Sequence, residues 1–292
     1  MMMQATPGAR GMQRGVALLL VLWASTLLAI LLGGFAMLAR TEGLQARYQF
    51  AHTQAHYAAE AGLMRAVYGL QDPLPRQRWI GDGRTYTFDF EGATVQVAAV
   101  DEGGKLDINA ATPEVLRNFF GAAGMAPQAA QQLEERILDW RRPLGFSTEA
   151  GSGGDAYAAA GLPYGPRRAP FASIEELQMV LGMTPALYRR VAPEVTIWSG
   201  NPAPDPNTAP PLALQSIPGM TPAQIQALRE ARLKNAGDPS LVLNNGTTHS
   251  IESAATLADG TRAVLRATIR MHAEQPGTQP YAVLRWQEGA GE

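Results

Sequence analysis

The sequence predicts an α+β fold: a long helix laid on a small antiparallel sheet, with a large all-helical domain inserted between strands. Three observations carry this. An uncharged apolar run, Val16–Ala39, passes without a proline into an amphipathic stripe that stops at Asp72-Pro73. Two groups of alternating segments, one near 84–108 and one near 250–286, read as strands. The stretch between them carries apolar residues at spacings of three and four.

The apolar run is 24 residues long. At a helical rise of 1.5 Å per residue it reaches about 36 Å, enough to cross a hydrocarbon core of about 30 Å. Arg10 and Arg14 precede it and the first acidic residue is Glu42, a bias that places the N-terminus in the cytoplasm, though Arg40 and Arg47 weaken it. No Ala-x-Ala-like cleavage site follows Ala39, so the run reads as an anchor kept after cleavage upstream, following Gly15. The helix continues through Leu44, Tyr48, Ala51, Ala55, Ala58, Gly62, Ala66 and Leu70, a small-residue stripe that needs a sheet to cover it.

Arg84–Glu91 alternates, with Tyr86, Phe88 and Phe90 on one face, and Val95, Val97 and Ala99 repeat the pattern after a turn at Glu91-Gly92. Leu106–Ile108 reads as a short strand. Helices are expected from Thr112-Pro113, from Ala126-Pro127, from a capping box at Ser173-Ile174-Glu175-Glu176, from Thr184-Pro185 and from Thr221-Pro222. Residues 201–211 (NPAPDPNTAPP) read as a polyproline-like linker. Ser250–Leu257 and Thr261–Met271 flank the hairpin signal Asp259-Gly260, and Tyr281–Trp286 is a last strand. The expected divisions are a removed leader at 1–15, a transmembrane half-helix at 16–39, and the first part of the helix-and-sheet domain at 40–110. The inserted helical domain follows at 111–247, then the returning strands at 248–288 and a tail at 289–292.

Composition excludes several classes of function. Net charge is −2 with a pI near 6.1, which argues against a general polyanion binder. No cysteine is present, so thiol catalysis, disulfides and thiolate metal sites are out. No Gly-x-Ser-x-Gly, phosphate loop or His-Glu-x-x-His occurs, and Glu134-Glu135 reads as solvated charge on a helix face, so an enzyme is not expected. His52 and His56 stand one helical turn apart with no third ligand nearby.

Arg14-Gly15-Val16-Ala17-Leu18-Leu19 and the apolar run resemble the signal of type IV prepilins. The resemblance implies cleavage after Gly15 by prepilin peptidase, methylation of the new N-terminus at Val16, and a pilin-like fold. Within that family the chain resembles the protein K branch of the minor pseudopilins of type II secretion. It shares Arg40-Thr41-Glu42, Ala59-Glu60-Ala61-Gly62, Gly103-Gly104-Lys105-Leu106-Asp107-Ile108-Asn109, and Glu175-Glu176-Leu177 ahead of Gly182-Met183-Thr184. It also shares Leu20 at the fifth position of the mature chain, where most pilins carry a glutamate.

A carboxylate within the bilayer demands a partner, and the resemblance implies that in such filaments the partner is the neighbouring subunit's amine. Lacking it, this subunit suits the tip of a pseudopilus, with minor pseudopilins I and J (and H) as partners. The inner membrane would hold the helix, the bulk of the chain would lie in the periplasm, and the tip would help drive folded exoproteins across the outer membrane. The resemblance also implies calcium in the inserted domain, for which Asp139, Glu149 and Asp155 are the candidates, although Arg141-Arg142 stands where the pattern expects carboxylates.

The alternative is a membrane-tethered helix-hairpin-helix protein for DNA uptake. Asp107–Leu116 and Ile217-Pro218-Gly219-Met220 resemble such modules. Their second glycine is replaced by Ala126 or Thr221 and no lysine lies in either hairpin, so no nucleic acid is expected.

Overall fold

The computed structural model describes residues 14–143, 152–235, 246–272 and 281–289, and the chain divides into two units at Gln54/Ala55. One helix, α1 (Arg14–Leu70), runs through Gly33-Gly34 without interruption. In the first unit its apolar side chains, Leu44 and Tyr48 among them, are exposed. From Ala55 onward the stripe is covered: Ala55, Ala58, Ala59, Leu63, Ala66, Val67 and Leu70 are buried.

The cover is a five-stranded antiparallel sheet. Strands β1 (Asp82–Phe90) and β2 (Ala93–Asp101) form a hairpin whose two turn residues, Glu91 and Gly92, both have positive φ. This is the geometry that matches the right-handed twist of paired strands. The short β3 (Leu106–Asp107) pairs in parallel with β4 (Val195–Thr196), and β5 (Thr248–Leu257), β6 (Arg262–Met271) and β7 (Tyr281–Gly289) complete the main sheet in the order β1-β2-β5-β6-β7. The two strand groups therefore share one sheet. Asp101 of β2 stands opposite His249 of β5, so everything between them hangs from what would otherwise be an ordinary hairpin connection.

Small residues set the helix–sheet distance. A Cβ on Gly62 would lie 2.2 Å from Ser253 Oγ and 2.7 Å from Val95 Cγ1, so only glycine lets the helix approach this closely. Val95, Val97, Ala99, Ile251, Ala255, Leu265, Ala267 and Ile269 form the rest of this core.

The segment between β2 and β5 holds α2 (Pro113–Ala122), α3 (Pro127–Arg141), α4 (Ser152–Ala159), α5 (Pro185–Val191), α6 (Pro211–Ser216) and α7 (Pro222–Asn235). Its own core includes Leu116, Phe119, Phe120, Leu133, Ile137, Trp140, Tyr157, Leu177 and Leu214. Thr112 and Thr184 cap α2 and α5 as their Thr-Pro steps predict.

Four expectations need correction. Ser173 makes no side-chain cap, and Ile174–Met179 is a 3-10 helix. The Glu176 carboxylate that a capping box would use accepts instead from Ala172 N–H and pairs with Arg167. Residues 201–211 are not a polyproline spacer. Asp205 N–H donates to Gly103 O, Ala209 N–H donates to Asp205 O, and Ala209 is buried, so the prolines sit in a turn packed on the chain. The inserted part is not all-helical, because β4 lies within it, paired with the expected short strand β3 at its base. Glu134 is not solvated charge: it is buried and paired with Arg117 at 3.1 Å.

Gly62→Val should lower the unfolding free energy by about 2–3 kcal/mol, the cost of overpacking a tight contact, as read by urea denaturation. An unchanged midpoint would show that helix and sheet can separate freely.

Candidate assembly surfaces and the insertion junction

α1 presents two kinds of surface. Around Val16 and Leu20, both about two-thirds exposed, it is apolar on all sides, long and apolar enough to cross a membrane. Ser25 and Thr26 return their hydroxyls to Val21 O and Trp23 O, so these two polar side chains are satisfied within the helix. Arg14 and Gly15 are the first described residues of α1. In the second unit, Tyr57, Met64 and Tyr68 form an exposed ridge on the side of α1 away from its buried residues. Tyr281 Oη lies 3.2 Å from Met64 Sδ, tying the ridge to β7, where Val283 and Trp286 are also exposed.

The insertion is rooted by polar groups rather than by a continuous apolar core. Asp101 takes Gly103 N–H at 2.8 Å and Thr208 Oγ1–H at 3.0 Å. A Cβ on Gly104 would lie 2.5 Å from the Thr208 carbonyl carbon, which explains the glycine at 104. Glu102 is buried, paired with Lys105 at 2.6 Å, and accepts from Ser250 Oγ.

Five residues on, Asp107 accepts from Asn109 N–H and Ala110 N–H with one oxygen, and from Gly200 N–H and Ser199 Oγ with the other. Asn109 pairs twice with the Phe171 backbone. Arg141 spans the same turn, donating to Ile108 O and Ala111 O, and its burial pulls its pKa below the ordinary arginine value. The motif from Gly103 to Asn109 is thus a wiring diagram for the base of the insertion. Sequence reading singled it out without seeing what it joins.

His249 sits within this junction, fully buried, with neither ring nitrogen hydrogen-bonded among the described residues. Burial pushes its pKa below its ordinary value, against the opposing pull of Asp101 and Glu102.

Further out, two hairpins clasp each other. Arg190 of α5 donates to Ala123 O, just before Gly124, and Arg136 of α3 donates to Leu181 O, just before Gly182. Each hairpin thereby closes the carbonyl end of the other's turn, a packing role for the first of the helix-hairpin-helix-like elements, which turns at Gly124. Of the calcium candidates, Glu149 and the side chain of Asp155 lie outside the described residues. Asp139 is paired with Arg168 at 2.5 Å.

With this geometry in place, residues 96–200 match the family model of type II secretion system protein K. The chain is similar to type II secretion system protein K of Klebsiella pneumoniae, 30% identical over 213 residues, covering 63% of this chain and 62% of that protein. The match thus spans less than two thirds of the relative's length. The fold is similar to the crystal structure of the GspK-GspI-GspJ complex from the enterotoxigenic Escherichia coli type 2 secretion system. That match has a TM-score of 0.58 and 17% identity, and covers 84% of this chain and 99% of that one.

Because the His249 pKa is lowered on folding, the unfolded chain binds more protons below pH 6.5, and the folded state loses stability as pH falls through that point. His249→Leu should flatten this loss, by up to about 1.4 kcal/mol per pH unit, in urea titrations between pH 7 and pH 5. Parallel pH profiles for the two proteins would mean that His249 is not buried as a neutral ring.

Proposed function

We propose that this chain, whose residues 96–200 match protein K of the type II secretion system, is a minor pseudopilin at the tip of the periplasmic pseudopilus. The single observation that carries the reading is this match, because it spans β2, the junction motif and most of the insertion. The apolar first half of α1 supports an inner-membrane anchor, with the N-terminus cytoplasmic and the remainder periplasmic. Cleavage between Gly15 and Val16 by prepilin peptidase, with methylation at Val16, would leave that anchor on the mature protein.

The tip position follows from two features. Leu20 offers no carboxylate to a subunit stacked above it, and the insertion adds a bulky block that a repeating shaft would have to accommodate. Pseudopilins I and J are the proposed partners, on the strength of the fold shared with the protein seen in complex with them. The exposed ridge of Tyr57, Met64 and Tyr68 offers such partners an aromatic surface at helical spacing. The role is mechanical and non-catalytic: to cap the assembly that helps push folded exoproteins outward. A calcium site at Asp139, Glu149 and Asp155 joins this reading only where Asp139 exchanges Arg168 for the ion.

Mass spectrometry of the mature protein should give an N-methylated chain beginning at Val16. An uncut chain, or one starting near Arg40, would defeat the prepilin reading. Immunolabelling should mark one end of the pseudopilus, and label along the shaft would defeat the tip assignment. Calcium at a hundredfold above its dissociation constant would stabilise the fold by about 2.7 kcal/mol, so an unchanged melting temperature in millimolar calcium removes the ion from the scheme.

A further inference from the structure

On the face of the sheet opposite α1, a cavity of about 420 Å³ lies between the strands and the insertion. Its size is within the range of roughly 300–1,000 Å³ that takes small molecules. Three cations line it, and each stands on a carboxylate: Lys105 on Glu102 at 2.6 Å, Arg266 on Glu252 at 2.6 Å, and Arg285 on Glu175 at 3.1 Å. With its charges neutralised in pairs, the cavity makes no strong demand for an anion or a cation.

Its lining is mixed, with Ala98, Val100, Ile174 and Ile251 supplying apolar surface beside the polar groups, which suits a guest that has both kinds of face. The Ser250 and Thr268 hydroxyls, 3.1 Å apart, and the Gln287 amide line it with the charged groups. One wall is the half-buried Trp198, whose carbonyl is held by Arg270 at 2.9 Å. A guanidinium carries five N–H donors and a carboxylate about four acceptor sites, so each ion pair leaves hydrogen-bonding capacity on both partners.

We propose that this cavity binds a neutral saccharide of one or two residues. A sugar hydroxyl both donates and accepts, so it can bond to both members of an ion pair at once without disturbing their charge balance. The apolar face of a pyranose would lie on the Trp198 ring, the flat hydrophobic surface with a polar tip that such a ligand requires. Displacing water from a site lined by donors and acceptors costs little where the incoming hydroxyls reproduce its hydrogen bonds.

The test is saturation-transfer NMR on the full chain in a detergent without a sugar headgroup, with maltose, cellobiose and N,N′-diacetylchitobiose as probes at millimolar concentration. Transfer to at least one disaccharide is expected, with affinity weakened about tenfold or more in Trp198→Ala. Gln287→Leu, a change at an exposed strand position, is the second variant and decides the matter if Trp198→Ala fails to fold by circular dichroism: weakened transfer supports the site and unchanged transfer overturns it. Absence of transfer to all three sugars, or an affinity left unchanged in a folded Trp198→Ala, also overturns the proposal. None of these readouts depends on where the protein sits in a pseudopilus.

Discussion

The Asp107 carboxylate is the constraint on which the insertion depends. A buried carboxylate is costly unless its lone pairs are filled, and here both oxygens are. One oxygen fixes the turn that leads from β3 into α2, and the other takes the chain returning after β4. The parallel β3–β4 ladder, the Asn109–Phe171 pair and the Arg141 bridge lie within a few residues of this point. Chain segments that are about sixty to ninety residues apart in sequence thus meet at one side-chain cluster.

Much of this was legible in the sequence because the signals were local. Val16–Ala39 needed only length and the absence of charge. The Thr-Pro steps at 112–113 and 184–185 marked helix starts because capping and the N1 preference are decided within four residues. Glu91-Gly92 and Asp259-Gly260 marked turns for the same reason. The errors fell where long-range contacts decide. The prolines of 201–211 have the composition of a spacer, but Asp205 and Ala209 are drawn into a turn by Gly103 and the insertion core. Ser173 has the chemistry of a cap, yet the carboxylate that would complete the box is claimed elsewhere. Glu134 reads as solvated until Arg117 is brought to it from another helix.

The surfaces proposed for assembly were only half visible. That α1 is apolar is a property of its residues; which of its faces stays open is a property of the sheet. Periodicity placed Ala58, Gly62 and Ala66 on the covered stripe, and the remaining aromatic ridge follows by subtraction once the sheet is known. The cavity behind the junction gave no comparable signal, since its residues come from β1, β2, β5, β6, β7 and the insertion. Nothing in a linear sequence joins Lys105, Arg266 and Trp198.

The way the insertion is attached explains how the five-stranded sheet tolerates it. The block enters after Asp101 and leaves before His249, and these residues face each other across neighbouring antiparallel strands. It therefore replaces a hairpin turn, and its ends are held at the separation that a turn would have imposed. The entropic cost of a longer connection grows only logarithmically with its length, and a connection that folds around its own apolar core offsets that cost internally. Separate cores follow naturally, one under the helix and one within the block, with hydrogen-bonded polar residues at the boundary. A polar boundary is also directional: hydrogen bonds from Asp101, Glu102 and Asp107 fix orientation where greasy contact would allow sliding. The buried carboxylates Asp101, Glu102 and Asp107 therefore stand where the orientation of the block on the sheet is decided.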